Sequence, residues 1–334
     1  MALMLTACSG ASDASSGSGR KSAVGSIFAM DTYISVQALG DNAQEAVDAA
    51  LAEVQRLDAL LSTGDEDSEI YKLNSSGSAV LSEDSCYLLS RALEISEDTG
   101  GAFNPAVYPL MELWGFTTGN YKVPSAEEIS ALLPLLDLSL ISFDEGSGEA
   151  SFEKEGVEID FGGIAKGYAS SRLVDIFRAH GVSDGMVNLG GNVQVIGKNT
   201  ENNDWRVGIR DPEDESAVLG ILSVSDKTVI TSGGYQRYFE EDGVVYQHIL
   251  DPATGYPAES GLSSVTIVSD DGTLADALAT ALFVMGEEQA ADYWRSHSGA
   301  FDAVLATEDG RIFVTEGIAQ SFQSEGAYQI IAIE

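Results

Sequence analysis

The sequence predicts an α+β fold in which mixed and antiparallel sheets pack against helices, arranged as two intimately associated subdomains. Three observations carry that expectation. Segments of helical period alternate with segments of strand-like alternation. A long stretch over 185–250 is dominated by strand and turn signals, and a helix returns after it. Neither a clear linker nor an internal repeat divides the chain, so the layers must share one compact body.

Folding is expected to begin near Val24. Residues 26–39 read as a strand region, with Phe28, Met30, Ile34, Val36 and Ala38 at alternating positions. Gly40-Asp41-Asn42 breaks it and offers an N-cap to a helix whose Val47, Leu51, Val54, Leu57 and Leu61 share one face. A second helix spans 82–99 and stops at Gly100-Gly101; Cys86 within it reads as a small buried hydrophobe. A short helix over 123–133 follows Pro124-Ser125, with acidic residues in its first turn. Residues 138–161 are strand-like, 164–180 helical, and 275–285 helical again.

The composition is that of a folded protein, 44% hydrophobic and 21% charged, but 53 acidic residues face 17 Lys and Arg. A formal net charge of −36 repels phosphates and argues against a nucleic-acid partner. Two cysteines exclude a disulfide framework and a Cys-based zinc site. One of them, Cys8, ends Leu5-Thr6-Ala7-Cys8, which resembles the lipobox of bacterial lipoproteins, and a Ser/Gly-rich run follows. Residues 1–23 are therefore expected to be a truncated lipoprotein signal and tether, and 24–334 the folded domain. A lipid on Cys8 would hold that domain at the extracytoplasmic face of the cell membrane.

Four segments carry candidate chemistry. In Val157-Glu-Ile-Asp160-Phe161-Gly162-Gly163, the apolar positions alternate, so Glu158 and Asp160 point away from the core. The glycine pair turns into a helix whose first N–H groups suit an anion such as a pyrophosphate, and Lys166 adds a charge that an anion would balance. In the apolar helix around Ala275-Asp276-Ala-Leu-Ala-Thr280, Asp276 and Thr280 lie on one face. They read either as two hard oxygen ligands for Mg²⁺, or as a helix cap and a hydroxyl bonded back to the carbonyl of residue 276. His248 precedes an Asp251-Pro-Ala-Thr-Gly turn and reads as a structural or a catalytic histidine. Finally, Thr99-Gly-Gly-Ala102-Phe103-Asn104-Pro105 leads to Leu113-Trp114-Gly115-Phe116, aromatics suited to a core or to stacking on a planar ring.

Taken in chain order, these segments resemble the ApbE family, the FAD:protein FMN transferases. The likeness runs from Met30-Asp31-Thr32 through Val187-Asn-Leu-Gly-Gly, Thr231-Ser-Gly and Tyr238-Phe239 to Ala275-Asp-Ala-Leu-Ala-Thr-Ala-Leu. It implies FAD contacts at Met30, Ala102, Phe103, Asn104, Asp160, Lys166, His248 and Leu250. It implies Mg²⁺ held by the Gly163 carbonyl, Asp276 and Thr280, with Asp160, Asp276 and His248 as catalytic candidates. Three departures stand out: Asn104 where the family usually has Asp, Gly64 after Ser62-Thr63 where many members have an aromatic, and Ala279 where some have a second acidic ligand.

The implied reaction is attack by a Thr or Ser hydroxyl of an acceptor protein on the FMN phosphorus of FAD, releasing AMP. Flavin-bearing subunits of membrane redox complexes are the expected acceptors. Two rival readings are an Mg²⁺-dependent FAD pyrophosphatase and a non-catalytic surface FAD-binding lipoprotein.

Overall fold

Two strands joined by a two-residue turn open the fold: β1 (Ser22–Ala29) and β2 (Thr32–Leu39). The computed structural model describes residues 20–333 apart from residue 215, so Cys8 and the tether up to residue 19 lie outside the described residues. The strand region expected over 26–39 is in fact a hairpin. Met30 and Asp31 both have positive φ, 50° and 56°, as a tight primed turn requires. The reversal also flips the face on which side chains emerge. Ile34, Val36 and Ala38 are buried, whereas Phe28 is exposed beside its cross-strand partner Tyr33.

Helix α1 (Ala43–Leu61) buries Val47, Val54, Leu57 and Leu61, as their spacing requires. Asn42 stands at its N-cap position, but the side chain donates instead to the His180 carbonyl at 2.9 Å. Next come α2 (Glu69–Ser76), β3 (Ser78–Val80), α3 (Glu83–Asp98), α4 (Tyr108–Trp114) and α5 (Ala126–Leu132). Gly100 and Gly101 take left-handed backbone after α3, and Ser125 with Glu128 forms a complete capping box on α5. Cys86 is buried in α3.

The strand-like stretch over 138–161 resolves into a hairpin, β4 (Ile141–Asp144) and β5 (Glu149–Phe152), and an extended run at 157–161. Val157, Ile159 and Phe161 are buried as expected. The run joins no sheet. The Asn74 amide bonds both the N–H and the carbonyl of Ile159 at 2.9 Å, taking the place of a neighbouring strand.

The remaining elements are α6 (Ala165–Ala179), β6 (Asp184–Leu189), β7 (Asn192–Ile196), β8 (Trp205–Arg210), β9 (Val218–Val224), β10 (Lys227–Gly233), β11 (Tyr238–Glu241) and β12 (Val244–Gln247). They are followed by β13 (Leu262–Ser269), α7 (Gly272–Ser296), β14 (Phe301–Thr307), β15 (Ile312–Thr315), β16 (Phe322–Gln323) and β17 (Gln329–Ile331). Helix α7 exceeds the expected 275–285. Asp271 caps it by accepting from the Leu274 N–H at 3.0 Å, and it continues through a kink at Gly286, φ 79°.

Nine strands form one sheet in the order β1-β2-β6-β7-β10-β13-β14-β15-β17, antiparallel except for β15 with β17. Helices α1, α6 and α7 pack on one face. The small sheet β16-β9-β8 packs on the other, where Trp205, Val207 and Leu222 meet Val195, Val268 and Val304. Alternation along β13 feeds both cores: Val265 and Ile267 face the helices, Val268 the small sheet. The α+β expectation with mixed sheets therefore holds, and the two halves are layers sharing one sheet.

Candidate functional site

The eleven positions singled out in the sequence line one cavity of about 550 Å³. Met30 comes from the β1–β2 turn; Ala102, Phe103 and Asn104 from the segment after α3. Asp160, Gly163 and Lys166 flank the turn into α6, His248 and Leu250 follow β12, and Asp276 and Thr280 stand on α7. The volume falls within the range of small-molecule sites.

Asp276 is 4% exposed and doubly bonded. One oxygen accepts from the Gly167 N–H and the other from the Asn192 amide, each at 2.8 Å. Gly167 lies in the first turn of α6, whose own N-cap residue, Ile164, makes no side-chain cap. Asp276 thus caps not its own helix but the neighbouring one, placing a negative charge at the positive end of α6. Close helix approach makes this bond possible. A β-carbon on Gly167 would collide with the Gly272 carbonyl, and one on Gly272 would lie 2.5 Å from the Gly167 carbonyl.

Thr280 turns its hydroxyl away from its own helix toward Ser232 on β10, 3.3 Å away. Gly163 lies beside it, since a β-carbon there would sit 3.8 Å from Thr280 Oγ1. These donors are all hard oxygens. Among the described residues no group of three or more His, Cys, Asp or Glu is placed to hold a metal. A cation here would meet one carboxylate and neutral oxygens, a set suited to Mg²⁺ completed by ligand phosphate oxygens and water.

The helix N-terminus expected to present free N–H groups to an anion is partly occupied. Gly162 N–H donates to Asp160 Oδ1 at 2.9 Å, and Gly167 N–H is taken by Asp276. Burial pushes the Asp160 carboxyl above its usual range, while the Gly162 N–H and the charges of Lys166 and Arg237 pull it down. Lys166 donates to the Gly162 carbonyl at 3.0 Å.

Burial, aided by the positive charge of Arg237, lowers the His248 imidazole to about 4. The ring is therefore neutral near pH 7. Its Nδ1 lies 3.1 Å from the Arg237 carbonyl, which only accepts, so Nδ1 carries the proton and Nε2 is the acceptor. His248 is both structurally anchored and chemically available.

Asn104 has an additional commitment. Its Oδ1 accepts from Ala106 N–H at 2.8 Å and its Nδ2 donates to the Leu136 carbonyl at 2.9 Å. The departure to Asn has a local cause: Asp in its place could not donate to that carbonyl. Met30 N–H donates to Asp58 Oδ1 at 2.9 Å, which fixes the left-handed turn at the cavity edge. The Leu113–Phe116 aromatics belong to the core. Trp114 is fully buried against Phe239, Tyr246 and Tyr256, and Phe116 packs on Phe239 and the His248 ring.

Sequence reasoning missed other lining residues, among them Asp58, Met111, Asn192, Ser232, Arg210 and Arg237. Met111 follows an ordinary core pattern and carried no signal, whereas Asn192 directly follows the quoted Val187-Asn-Leu-Gly-Gly run and is a polar residue that the fold buries. Ser232 lay in a quoted motif without an assigned role. For the two arginines a signal existed, because only 17 cations occur in the chain and Arg237 directly precedes Tyr238-Phe239.

A cavity of this size, in which carboxylates, hydroxyls and cations converge beside apolar walls, is the mark of a small-molecule-binding protein. The ApbE family pattern matches residues 30–305, and the chain belongs to that family. It is 37% identical over 293 residues to the FAD:protein FMN transferase of Treponema pallidum (strain Nichols), covering 81% of each chain. Against the FAD:protein FMN transferase of Klebsiella pneumoniae (strain 342) identity is 33% over 283 residues, 83% of this chain and 87% of that one. The crystal structure of the ApbE protein from Thermotoga maritima superimposes with a TM-score of 0.84 at 35% identity, covering 90% of this chain and 99% of that one.

Proposed function

We propose that this protein is an FAD:protein FMN transferase, moving the FMN half of FAD onto a Thr or Ser hydroxyl of an acceptor protein with Mg²⁺ and releasing AMP. One observation carries the reading: eleven residues from separate segments, named on family likeness, line a single cavity. The relatives' names supply the reaction class.

The acceptor hydroxyl oxygen forms a bond to the FMN phosphorus as the bond to the AMP oxygen breaks; the hydroxyl proton passes to a base and AMP leaves. We assign that base to Asp160. Burial makes it a stronger base than an exposed carboxylate, and it stands among cations that hold it near an anionic substrate. Neutral His248 presents Nε2 as a hydrogen-bond acceptor and adds no charge. Asp276, Thr280 and the Gly163 carbonyl are the residues that would hold Mg²⁺. When bound, the ion would offset charge on the diphosphate. Asn192 and the Gly167 N–H orient the Asp276 carboxylate for that duty.

The proposed location is the extracytoplasmic face of the cell membrane, with a lipid on Cys8 and flavin-bearing subunits of membrane redox complexes as acceptors. Its support is the Leu5-Thr6-Ala7-Cys8 likeness and the Ser/Gly-rich run after it. Among the described residues, no helix is long and apolar enough to cross a membrane.

The test is incubation of the purified protein with FAD, Mg²⁺ and a candidate acceptor, followed by acceptor mass spectrometry. A gain of one FMN with equimolar AMP is expected. Free FMN and AMP on an unmodified acceptor indicate the hydrolase, and unchanged FAD the binder.

A further inference from the structure

In this acidic molecule a basic side chain normally has a carboxylate partner. Among the described residues, eleven of the seventeen Lys and Arg lie within 4.0 Å of a carboxylate oxygen. Three of the six that do not are Lys166, Arg210 and Arg237, and all three line the cavity. The cavity also holds Asp31, Asp58, Asp160 and Asp276, but among the described residues none of them lies within ion-pair distance of these three cations, which stay open to an entering anion.

The arginines gain importance from what the helix end lacks. In the first turn of α6 the Ala165 N–H bonds the Phe161 carbonyl and the Gly167 N–H bonds Asp276, and ahead of the helix Asp160 takes the Gly162 N–H, so this end offers an incoming phosphate less than its sequence implied. Lys166 is partly engaged with the Gly162 carbonyl. Arg237 is different. His248 bonds its carbonyl through both N–H and Nδ1, at 3.0 and 3.1 Å, which anchors the backbone. Among the described residues its guanidinium makes one long bond, 3.4 Å to the Phe116 carbonyl, leaving most of its five N–H donors available to a ligand.

We infer that Arg237, assisted by Arg210 at the end of β8, is a principal binding group for the diphosphate of the flavin dinucleotide. The inference rests on the flavin-transferase reading above. A planar guanidinium grips two phosphate oxygens at once, and a neutral or ammonium side chain does not reproduce that fork. Arg237 also stands near Asp160 and His248, so its charge reaches the groups at which transfer occurs.

The experiment measures binding of FAD and of riboflavin, which lacks phosphate, to the wild-type protein and to Arg237→Gln, Arg237→Lys and Arg210→Gln, at low and high salt. Arg237→Gln is expected to weaken FAD at least about tenfold, leave riboflavin unchanged and flatten the salt dependence of FAD binding. Arg237→Lys should recover part of the loss, and Arg210→Gln should weaken FAD less. Unchanged FAD affinity in Arg237→Gln overturns the inference, as does equal loss of FAD and riboflavin, the mark of a merely structural role. A wild-type protein that fails to bind FAD instead removes the underlying functional reading.

Discussion

The carboxylate of Asp276 on α7 caps the first turn of α6 by accepting the Gly167 N–H at 2.8 Å. A residue named as a metal ligand is therefore also a tertiary helix cap. Asp276→Ala should abolish transfer and also lower stability by about 2–4 kcal/mol, because the Gly167 and Asn192 donors lose their partner. Asp276→Asn should lose less stability while still losing Mg²⁺-dependent transfer. Urea unfolding and a transfer assay over Mg²⁺ concentration check both. Full activity in either variant rejects the assignment.

Gly167→Ala tests the approach of the two helices. The new methyl group meets the Gly272 carbonyl, and main chain cannot yield as a flexible side chain does. We expect a loss of about 3 kcal/mol or more, or failure to fold. An unchanged melting temperature would show that α6 and α7 have room to part.

As the proposed base, Asp160 would give up stability for function. Its folded carboxyl titrates above the usual range, so the fold loses stability as pH rises from the ordinary carboxylate range through that raised value. Asp160→Asn, which keeps an acceptor for Gly162 N–H, should stabilise the ligand-free protein by about 1 kcal/mol at pH 7. The difference should vanish in acid, where the native carboxyl is also neutral. Transfer should fall by about 100-fold or more.

His248 has the opposite sign. Its folded value of about 4 lies below the usual 6.5, so the unfolded chain binds the extra proton between them. Stability should rise with pH from about 4 to about 6.5, by at most about 3 kcal/mol, and be indifferent to this group above. A proton NMR titration of the His248 ring should give a midpoint near the lower value, and His248→Gln should remove its share of the slope. A midpoint near 6.5 contradicts the burial argument.

Asn104→Asp, the change toward the more usual family residue, should destabilise this protein by about 1–3 kcal/mol. The carboxylate would face the Leu136 carbonyl, to which Asn104 now donates. Comparing chemical denaturation of the two forms decides it. Equal stability would mean that the donor to Leu136 is dispensable.

The sequence by itself determined what depends on near neighbours. Three- and four-residue steps located the buried face of α1, alternation oriented Asp160 away from the core, and Gly100-Gly101 ended α3. Its motifs also named residues that share the cavity, since each motif is a short run whose residue types can be read in place. Tertiary structure decided everything that joins distant segments. The 26–39 alternation did not reveal a reversal at Met30-Asp31, because neither residue is a glycine and both take left-handed backbone beside the Asp58 carboxylate. Nor did it reveal that Asn74 completes the 157–161 run, or that Asp276 caps a helix 109 residues away. Periodicity reports which face of an element is apolar, not which partner covers it. Arg237 is the sharpest case: in the sequence it is one cation among 17, and only the fold shows it lining the cavity with no carboxylate of the described residues in ion-pair reach.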